Sequence, residues 1–101
     1  ANWETWKREQ KPARTSALDG IPSGLPALAR AEKVLGRAAS AGVETTPAAS
    51  DAFADEEEFG AHLVSLVAAA RARGWDAERA VRGATREVEE RIRAAERAAS
   101  S

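Results

Sequence analysis

Large apolar side chains are scarce in this 101-residue sequence, and their scarcity limits what the chain can fold into. Hydrophobic residues make up 44% of the chain, but alanine supplies much of that share, and Leu, Ile, Val and Phe together number 16. So few large side chains make a thin core for an isolated domain, and small domains in this position often gain stability by association. Charged residues make up 31% of the chain and nearly cancel, as on helices that carry paired charges. We therefore expect a single helical domain that a partner completes.

The composition excludes several classes of site. Without cysteine the chain has no disulfide framework and no thiolate metal site, and its single histidine, His62, cannot form a histidine cluster. A net charge of −1 is not the basic balance of a nucleic-acid-binding protein. No apolar run approaches the roughly 20 residues that cross a bilayer, and the N-terminus has no signal-like block. We expect a cytoplasmic protein with neither nucleic acid nor a membrane as its partner.

Apolar periodicity predicts three main helices, over about residues 26–41, 56–73 and 76–99. Their apolar positions recur every three or four residues, which is the spacing of an amphipathic helix. We expect an all-α, antiparallel helical bundle with a surplus apolar face that is suited to a homodimer.

Proline, glycine and threonine mark the segments between these helices. Residues 1–24 are predicted to be an irregular lead-in, and its Trp3 and Trp6 are predicted to dock on a surface because tryptophan is mostly buried. Residues 43–54 are predicted to be a linker. The helical domain as a whole is predicted to span residues 25–100.

Two helix ends carry clear signals. Gly42 is predicted to end the first helix in the left-handed conformation, which glycine adopts without steric cost. Asp55 and Glu58 have the spacing of a capping box at the start of the second helix.

The last two helices are each predicted to bury one apolar stripe. The stripe on the second helix consists of Phe59, Leu63, Leu66, Val67 and Ala70. The stripe on the third helix is nearly heptad and consists of Val81, Ala84, Val88, Ile92, Ala95 and Ala99. Acids and arginines four residues apart, such as Glu78–Arg82 and Glu89–Arg93, predict ion pairs on the solvated face of the third helix.

Two charged groups are candidates for chemistry, and each has an alternative interpretation. The acidic run at residues 55–58 suits Mg²⁺, which prefers oxygen ligands, but acids at a helix N-terminus are also stabilised by the helix dipole. The face that carries Arg30, Lys33 and Arg37 suits phosphate groups and equally suits a solvated surface. The standard phosphate-binding glycine loops are absent from the sequence.

Several strings resemble the MazG family, the all-α nucleoside triphosphate pyrophosphohydrolases. Residues 16–22 (SALDGIP) and 25–33 (LPALARAEK) resemble the family block S-x-L-D-x-I-P…L-P-A-L-x-R-A-x-K, and Arg37 and Gly42 match the positions that follow it. Residues 56–60 (EEEFG) are similar to the family's E-E-E-x-G-D-L-L helix start. The tryptophan-containing lead-in and the closing helix extend the match over residues 2–97, and the chain resembles the C-terminal domain of the family most.

The resemblance implies hydrolysis of a nucleoside triphosphate to the monophosphate and pyrophosphate, with Mg²⁺ as the cofactor. The family holds the ion with E-E-x-x-E on one helix and E-x-x-D on the next. Position matching leaves Glu57 and Glu58 as residual metal ligands. It also makes Lys33, Arg37 and Arg91 the candidate nucleotide-binding residues.

The sequence departs from the family pattern at the positions that carry its chemistry. Residues 43–54 contain no E-E-x-x-E helix, and Ala61 stands where the aspartate of E-x-x-D belongs. On the last helix, the family's asparagine and phosphate-facing lysine fall at Thr85 and Glu87. We therefore expect a degenerate domain that binds no Mg²⁺, has no catalytic residue and serves as a non-catalytic dimerisation or support domain.

Two other hypotheses stay open. In the first, the chain is an active Mg²⁺-dependent pyrophosphohydrolase whose weak metal site uses Glu56, Glu57 and Glu58, with Arg91 on the phosphates of a bound nucleoside triphosphate. In the second, it is an interaction bundle that binds a partner through the third helix. The start at Ala1, together with the two-domain members of the family, leads us to expect that the chain belongs to a longer polypeptide.

Overall fold

The computed structural model describes residues 16–45 and 53–100. The predictions on Trp3 and Trp6, and on most of the linker, lie outside the described residues.

Within the described ranges the chain forms three α-helices and no strand: α1 at Ala27–Ser40, α2 at Glu56–Ala72 and α3 at Ala77–Ser100. The all-α fold is confirmed, and the helix ends lie within one residue of the predicted ones. None of the described helices has the length and the apolar character that crossing a lipid bilayer requires.

The predicted left-handed glycine at the end of α1 is confirmed. Gly42 has φ +71°, and its N–H donates to the Ala39 carbonyl at 3.2 Å. The next N–H, that of Val43, donates to the Ala38 carbonyl at 2.9 Å, so Val43 folds back onto the core beside Ala38. This pair of bonds is the Schellman motif, which a residue with a Cβ would strain at the Gly42 position.

The core lies between α1, α3 and the loop that precedes α1. Its buried members are Leu18, Val34, Ala38 and Ile92, and the side chains of Val34 and Ile92 are fully buried. Few large side chains are buried, and the partly buried Ile21, Val43 and Val88 pack against them.

The helices α1 and α3 run side by side in the same direction. Ala27 at the start of α1 contacts Glu78 near the start of α3, and Arg30 contacts Glu89 further along. The loop before α1 runs the opposite way along α3, because Ser16 lies next to Glu96 near the end of α3.

Glu96 and Arg37 hold the loop in place. The Glu96 carboxylate accepts hydrogen bonds from Ser16 Oγ and from the Ala17 N–H, both at 2.8 Å. Arg37 Nη1 donates to the carbonyls of Ala17 and Asp19, also at 2.8 Å. Leu18, between these contacts, is thereby directed into the core.

A buried ion pair joins α1 to α3. Glu89 is only 4% exposed, and Arg30 binds it with two nitrogens, Nη2 at 2.9 Å from Oε1 and Nε at 3.3 Å from Oε2. The predicted partner, Arg93, is also present but lies 3.9 Å from the same carboxylate. The principal partner of Glu89 therefore comes from another helix and not from the next turn of its own.

The start of α1 is capped by a residue of α3. Pro26 offers no side-chain acceptor, and the Ala27 N–H donates instead to Glu78 Oε2 at 3.1 Å. Arg82 Nη2 donates to the same oxygen at 2.8 Å, as the spacing of Glu78 and Arg82 predicted. The bond from the Ala27 backbone, and after it the bond from Arg82, lowers the pKa of Glu78 below its ordinary value.

The predicted burial of the α2 stripe is wrong. No residue of this helix is buried within the described chain, and Phe59, Leu66 and Val67 are 44%, 52% and 54% exposed. The reason is that no Cα atom of α2 lies within 8 Å of a Cα atom of α1 in the described ranges, and α2 approaches α3 this closely at far fewer positions than α1 does.

The predicted stripe on α3 is buried only in part. Ile92 is buried as expected, but the other buried residues of the helix are Thr85 and Glu89. Ala84, Ala95 and Ala99 are exposed. The inward face is rotated toward Glu89 because α1 packs on that side.

We expect Arg30→Ala to lower the free energy of unfolding by about 3 kcal/mol, because it leaves the Glu89 carboxylate buried without its main partner. Arg93→Ala is the matched control, and it should cost less than about 1 kcal/mol because Arg93 is an exposed, more distant partner. Urea denaturation followed by circular dichroism measures both. Equal losses in the two variants would contradict the role assigned to Arg30.

We expect the stabilising effect of the Glu78 carboxylate to depend on pH. Since its pKa is lowered in the folded chain, the stabilisation is complete above the ordinary pKa and is lost as the pH falls through the lowered value. Wild type should therefore be more stable than Glu78→Gln at neutral pH, and the two should converge in acid. Urea denaturation over a pH series tests this, with Glu87→Gln on the same helix as the control. The same convergence in the control would show that general charge, and not the cap on Ala27, is responsible.

Candidate functional site

The acidic residues of α2 act as a helix cap. The Glu58 N–H donates to Asp55 Oδ1 at 2.8 Å, and the Glu58 carboxylate accepts from the Ala54 N–H at 3.0 Å. This confirms the predicted pairing of Asp55 and Glu58, with the return bond reaching one residue further back than in the usual capping box. Glu57 is exposed in the same turn.

The described residues do not fit a magnesium site. Mg²⁺ requires near-octahedral oxygen ligands, and no group of three or more Asp, Glu or His side chains in the described chain is placed to hold a metal ion. Glu58 already accepts a backbone bond, and no Cα atom of α1 lies within 8 Å of a Cα atom of α2.

The structure does not gather the predicted nucleotide-binding residues beside these acids. Lys33 is exposed on α1, and Arg37 on the same helix is occupied by the two carbonyls of the preceding loop. Arg91 is exposed on α3. Since no Cα atom of α1 lies within 8 Å of a Cα atom of α2, the backbone does not bring Lys33 or Arg37 next to Glu57 and Glu58.

A cleft that the sequence analysis did not identify lies between α1, α3 and the loop before α1. Its volume is about 420 Å³. We call it the arginine cleft, and it is lined by Ser23, Leu25, Arg30, Arg82, Arg86, Glu89, Glu90 and Arg93. One feature of the sequence could have indicated the cleft: residues 82, 86, 89 and 93 are spaced so that four charged side chains lie in one row along a helix. The sequence analysis predicts from such spacing only ion pairs within α3.

The arginines of the cleft differ in how fully they are paired. Arg30 is bound to Glu89, Arg93 Nη1 lies 3.0 Å from Glu90, and Arg82 lies 2.8 Å from Glu78. Arg86 is exposed and makes no hydrogen bond or ion pair with any described residue. The cleft therefore contains one guanidinium whose charge no neighbouring acid balances.

All of the described helices contribute to an apolar groove. Its volume is about 650 Å³, and the apolar side chains that line it include Leu28, Leu63, Leu66, Val67, Trp75 and Val81. Leu28 and Trp75 are 59% and 60% exposed. The Arg73 guanidinium lies 4.9 Å from the Trp75 ring centre and partly covers it.

Comparisons with known proteins identify relatives by sequence. The chain is 39% identical to an uncharacterized 26.1 kDa protein of Streptomyces cacaoi over 95% of the chain and 38% of the relative. It is 37% identical to the nucleoside triphosphate pyrophosphohydrolase of Escherichia coli K12 over 96% of the chain and 46% of the relative. The protein of that name from Mycobacterium tuberculosis is 35% identical over 97% of the chain and 26% of the relative. No family model and no solved structure matches.

The alignments also show where the chain is shorter than its relatives. It spans less than half the length of each of these proteins. The alignment with the Escherichia coli protein extends over 120 residues, which exceeds the 101 residues of the chain, so the relative has internal residues that the chain lacks. Across nearly its whole length the chain is nevertheless a homologue of the nucleoside triphosphate pyrophosphohydrolases, and it belongs to the MazG family.

Proposed function

We propose that the chain is a MazG-family domain that does not hydrolyse nucleoside triphosphates by itself and instead serves as a dimerisation or support domain. The observation that supports the proposal most directly is the environment of the acidic residues at the start of α2. They are exposed, they cap their own helix, and no group of three or more acids in the described chain is placed to hold a metal ion.

The metal chemistry of the family depends on several carboxylates around one ion. Mg²⁺ gives up its water reluctantly and usually needs protein carboxylates together with substrate phosphates. Glu58 and the exposed Ala61, one turn apart on α2, stand where the family has Glu and Asp, and an alanine methyl group is no ligand.

The phosphate side of the family site is altered as well. Glu87, exposed on α3, stands where the resemblance places a phosphate-facing lysine. Two unit charges at 4 Å interact by about 4 kcal/mol at an effective dielectric constant of 20, so the exchange of lysine for glutamate replaces an attraction of that order by a repulsion. The glutamate therefore opposes the binding of nucleotide phosphates at the position where the family binds them.

Association is supported by the apolar surface that the described chain leaves open. Val64, Leu66 and Val67 of α2 are all more than half exposed, and the groove beside them is lined mainly by apolar side chains. An apolar face of this kind marks an interaction site more often than a solvated surface. A second copy of the chain would cover α2 and add to a core that contains few large side chains.

The relatives' names favour a second candidate function. Four of the similar proteins are named nucleoside triphosphate pyrophosphohydrolases, and the exposed carboxylates of Glu56, Glu57 and Glu58 are accessible to a hydrated ion. In this alternative the chain is a weak Mg²⁺-dependent enzyme that uses Arg91 on the substrate phosphates.

We expect the chain to release no pyrophosphate from a mixture of nucleoside triphosphates, with or without Mg²⁺, because too few carboxylates converge to hold the ion. A coupled pyrophosphate assay measures this, with the Escherichia coli pyrophosphohydrolase as the positive control. Mg²⁺-dependent release that Glu58→Ala abolishes would overturn the proposal and establish the alternative. Release that Glu58→Ala leaves unchanged would point to a contaminating enzyme.

We expect the chain to sediment as a dimer and Val67→Glu to convert it to a monomer, because the new carboxylate would lie in the apolar groove and lose its hydration on association. Ala68→Glu is the matched control. It introduces the same charge at the next residue of α2, at an exposed position that does not line the groove. Analytical ultracentrifugation separates the outcomes, and a monomeric wild type would contradict the proposed association.

A further inference from the structure

We propose that the arginine cleft binds a phosphate-bearing anion. The cleft is separate from the residues to which the family resemblance assigns nucleotide, and nothing in the proposed function requires it. The argument depends on the geometry of the row along α3, on the charge balance of the cleft and on the chemistry of the guanidinium group.

The row along α3 presents several guanidinium groups to one space. Arg82 and Arg86 are one helical turn apart, and Arg93 is about two turns beyond Arg86 on the same face. Ser23 and Leu25 of the loop form the opposite wall, so the space is a cleft and not an open helix surface. Its volume of about 420 Å³ lies in the range of small-ligand sites.

The cleft is more basic than the molecule that contains it. Four arginines line it, and even when Glu78 is counted with Glu89 and Glu90, the acids number one fewer. The whole chain, by contrast, has a net charge of −1. Since Arg30 neutralises the buried Glu89, the surplus charge belongs to the exposed end of the cleft, where Arg86 has no partner among the described residues.

The existing ion pairs would oppose an incoming anion only weakly. The side chains of Arg82 and Glu78 are both 50% exposed, and those of Arg93 and Glu90 are 45% and 65% exposed. Exposed pairs of this kind contribute little to stability, so Arg82 and Arg93 can turn to an anion at small cost. Arg30, in contrast, stays with Glu89 and forms the floor of the site.

The number and kind of donors favour phosphate over a carboxylate. A guanidinium group matches two oxygens of one phosphate, and arginines on successive turns can each bind a different oxygen of the same ligand. A single carboxylate has only two oxygens and one charge. A diphosphate has the oxygens and the charge to engage Arg82, Arg86 and Arg93 together, and the Ser23 hydroxyl offers a further donor.

The face that would carry the family's nucleotide chemistry lies elsewhere on α3. At 100° per residue, Arg91 is about 140° around the helix from Arg86. Neither Arg91 nor Glu87 lines the arginine cleft. Binding in the cleft is therefore distinguishable from nucleotide binding beside Arg91.

The test is a titration of the full chain with inorganic pyrophosphate in EDTA, followed by ¹H–¹⁵N correlation spectra. We expect saturable shifts at Ser23, Leu25 and along residues 82–93, with no comparable shifts at Glu57 and Glu58. Added salt should weaken the binding because exposed charges carry it. Since neither Mg²⁺ nor a nucleoside triphosphate is present, the outcome is independent of whether the chain is an enzyme.

Arg86→Glu should weaken pyrophosphate binding by about tenfold or more, because it replaces the unpaired guanidinium by a repelling charge. Arg79→Glu is the matched control, as it makes the same charge change on the same helix outside the cleft, and it should change the affinity by less than about twofold. Titrations with acetate test the carboxylate alternative. The proposal is overturned by the absence of saturable shifts, by equal losses in the two variants, or by acetate binding as tightly as pyrophosphate.

Discussion

The bidentate ion pair between Arg30 and Glu89 is the contact on which the rest of the structure depends. It places a charged pair inside an interface whose fully buried large side chains are only Val34 and Ile92. An apolar core of this size sets the distance between α1 and α3 but specifies their register weakly. The planar fork of the arginine fixes that register, because it fits the carboxylate in one orientation. The loop before α1, the cap on Ala27 and the arginine cleft all follow from this alignment.

Sequence reasoning located the helices because their ends are determined locally. Gly42 and Asp55 act through the backbone next to them, so their effects are visible without knowledge of what the helices contact. The burial of a helix face is different, because it depends on what another element supplies. Phe59, Leu66 and Val67 have the spacing of a buried stripe, yet they remain 44% to 54% exposed. The inward rotation of α3 toward Glu89 was likewise invisible, since the partner of that residue lies 59 positions away.

The site shows the same division between local and distant determinants. The capping role of Glu58 was one of two interpretations that the sequence left open, and its bond to the Ala54 N–H supports that one. Arg37, which the family resemblance assigned to nucleotide, instead holds two carbonyls of the loop. The arginine cleft could not be found from spacing alone, because its opposite wall comes from Ser23 and Leu25. Membership of the MazG family thus accounts for the helical fold of the chain better than for the roles of its charged side chains.

The uneven packing of the helices divides the molecule into parts of different local stability. Ser16 and Glu96 are joined across 80 positions, so the loop, α1 and α3 are packed together as one closed unit. The helix α2 lies outside that closure and contributes no buried residue among those described. Its amide hydrogens should therefore exchange with solvent through local opening, at a free energy well below that of global unfolding. Such a segment can be ordered by a binding partner at little cost to the remainder of the fold.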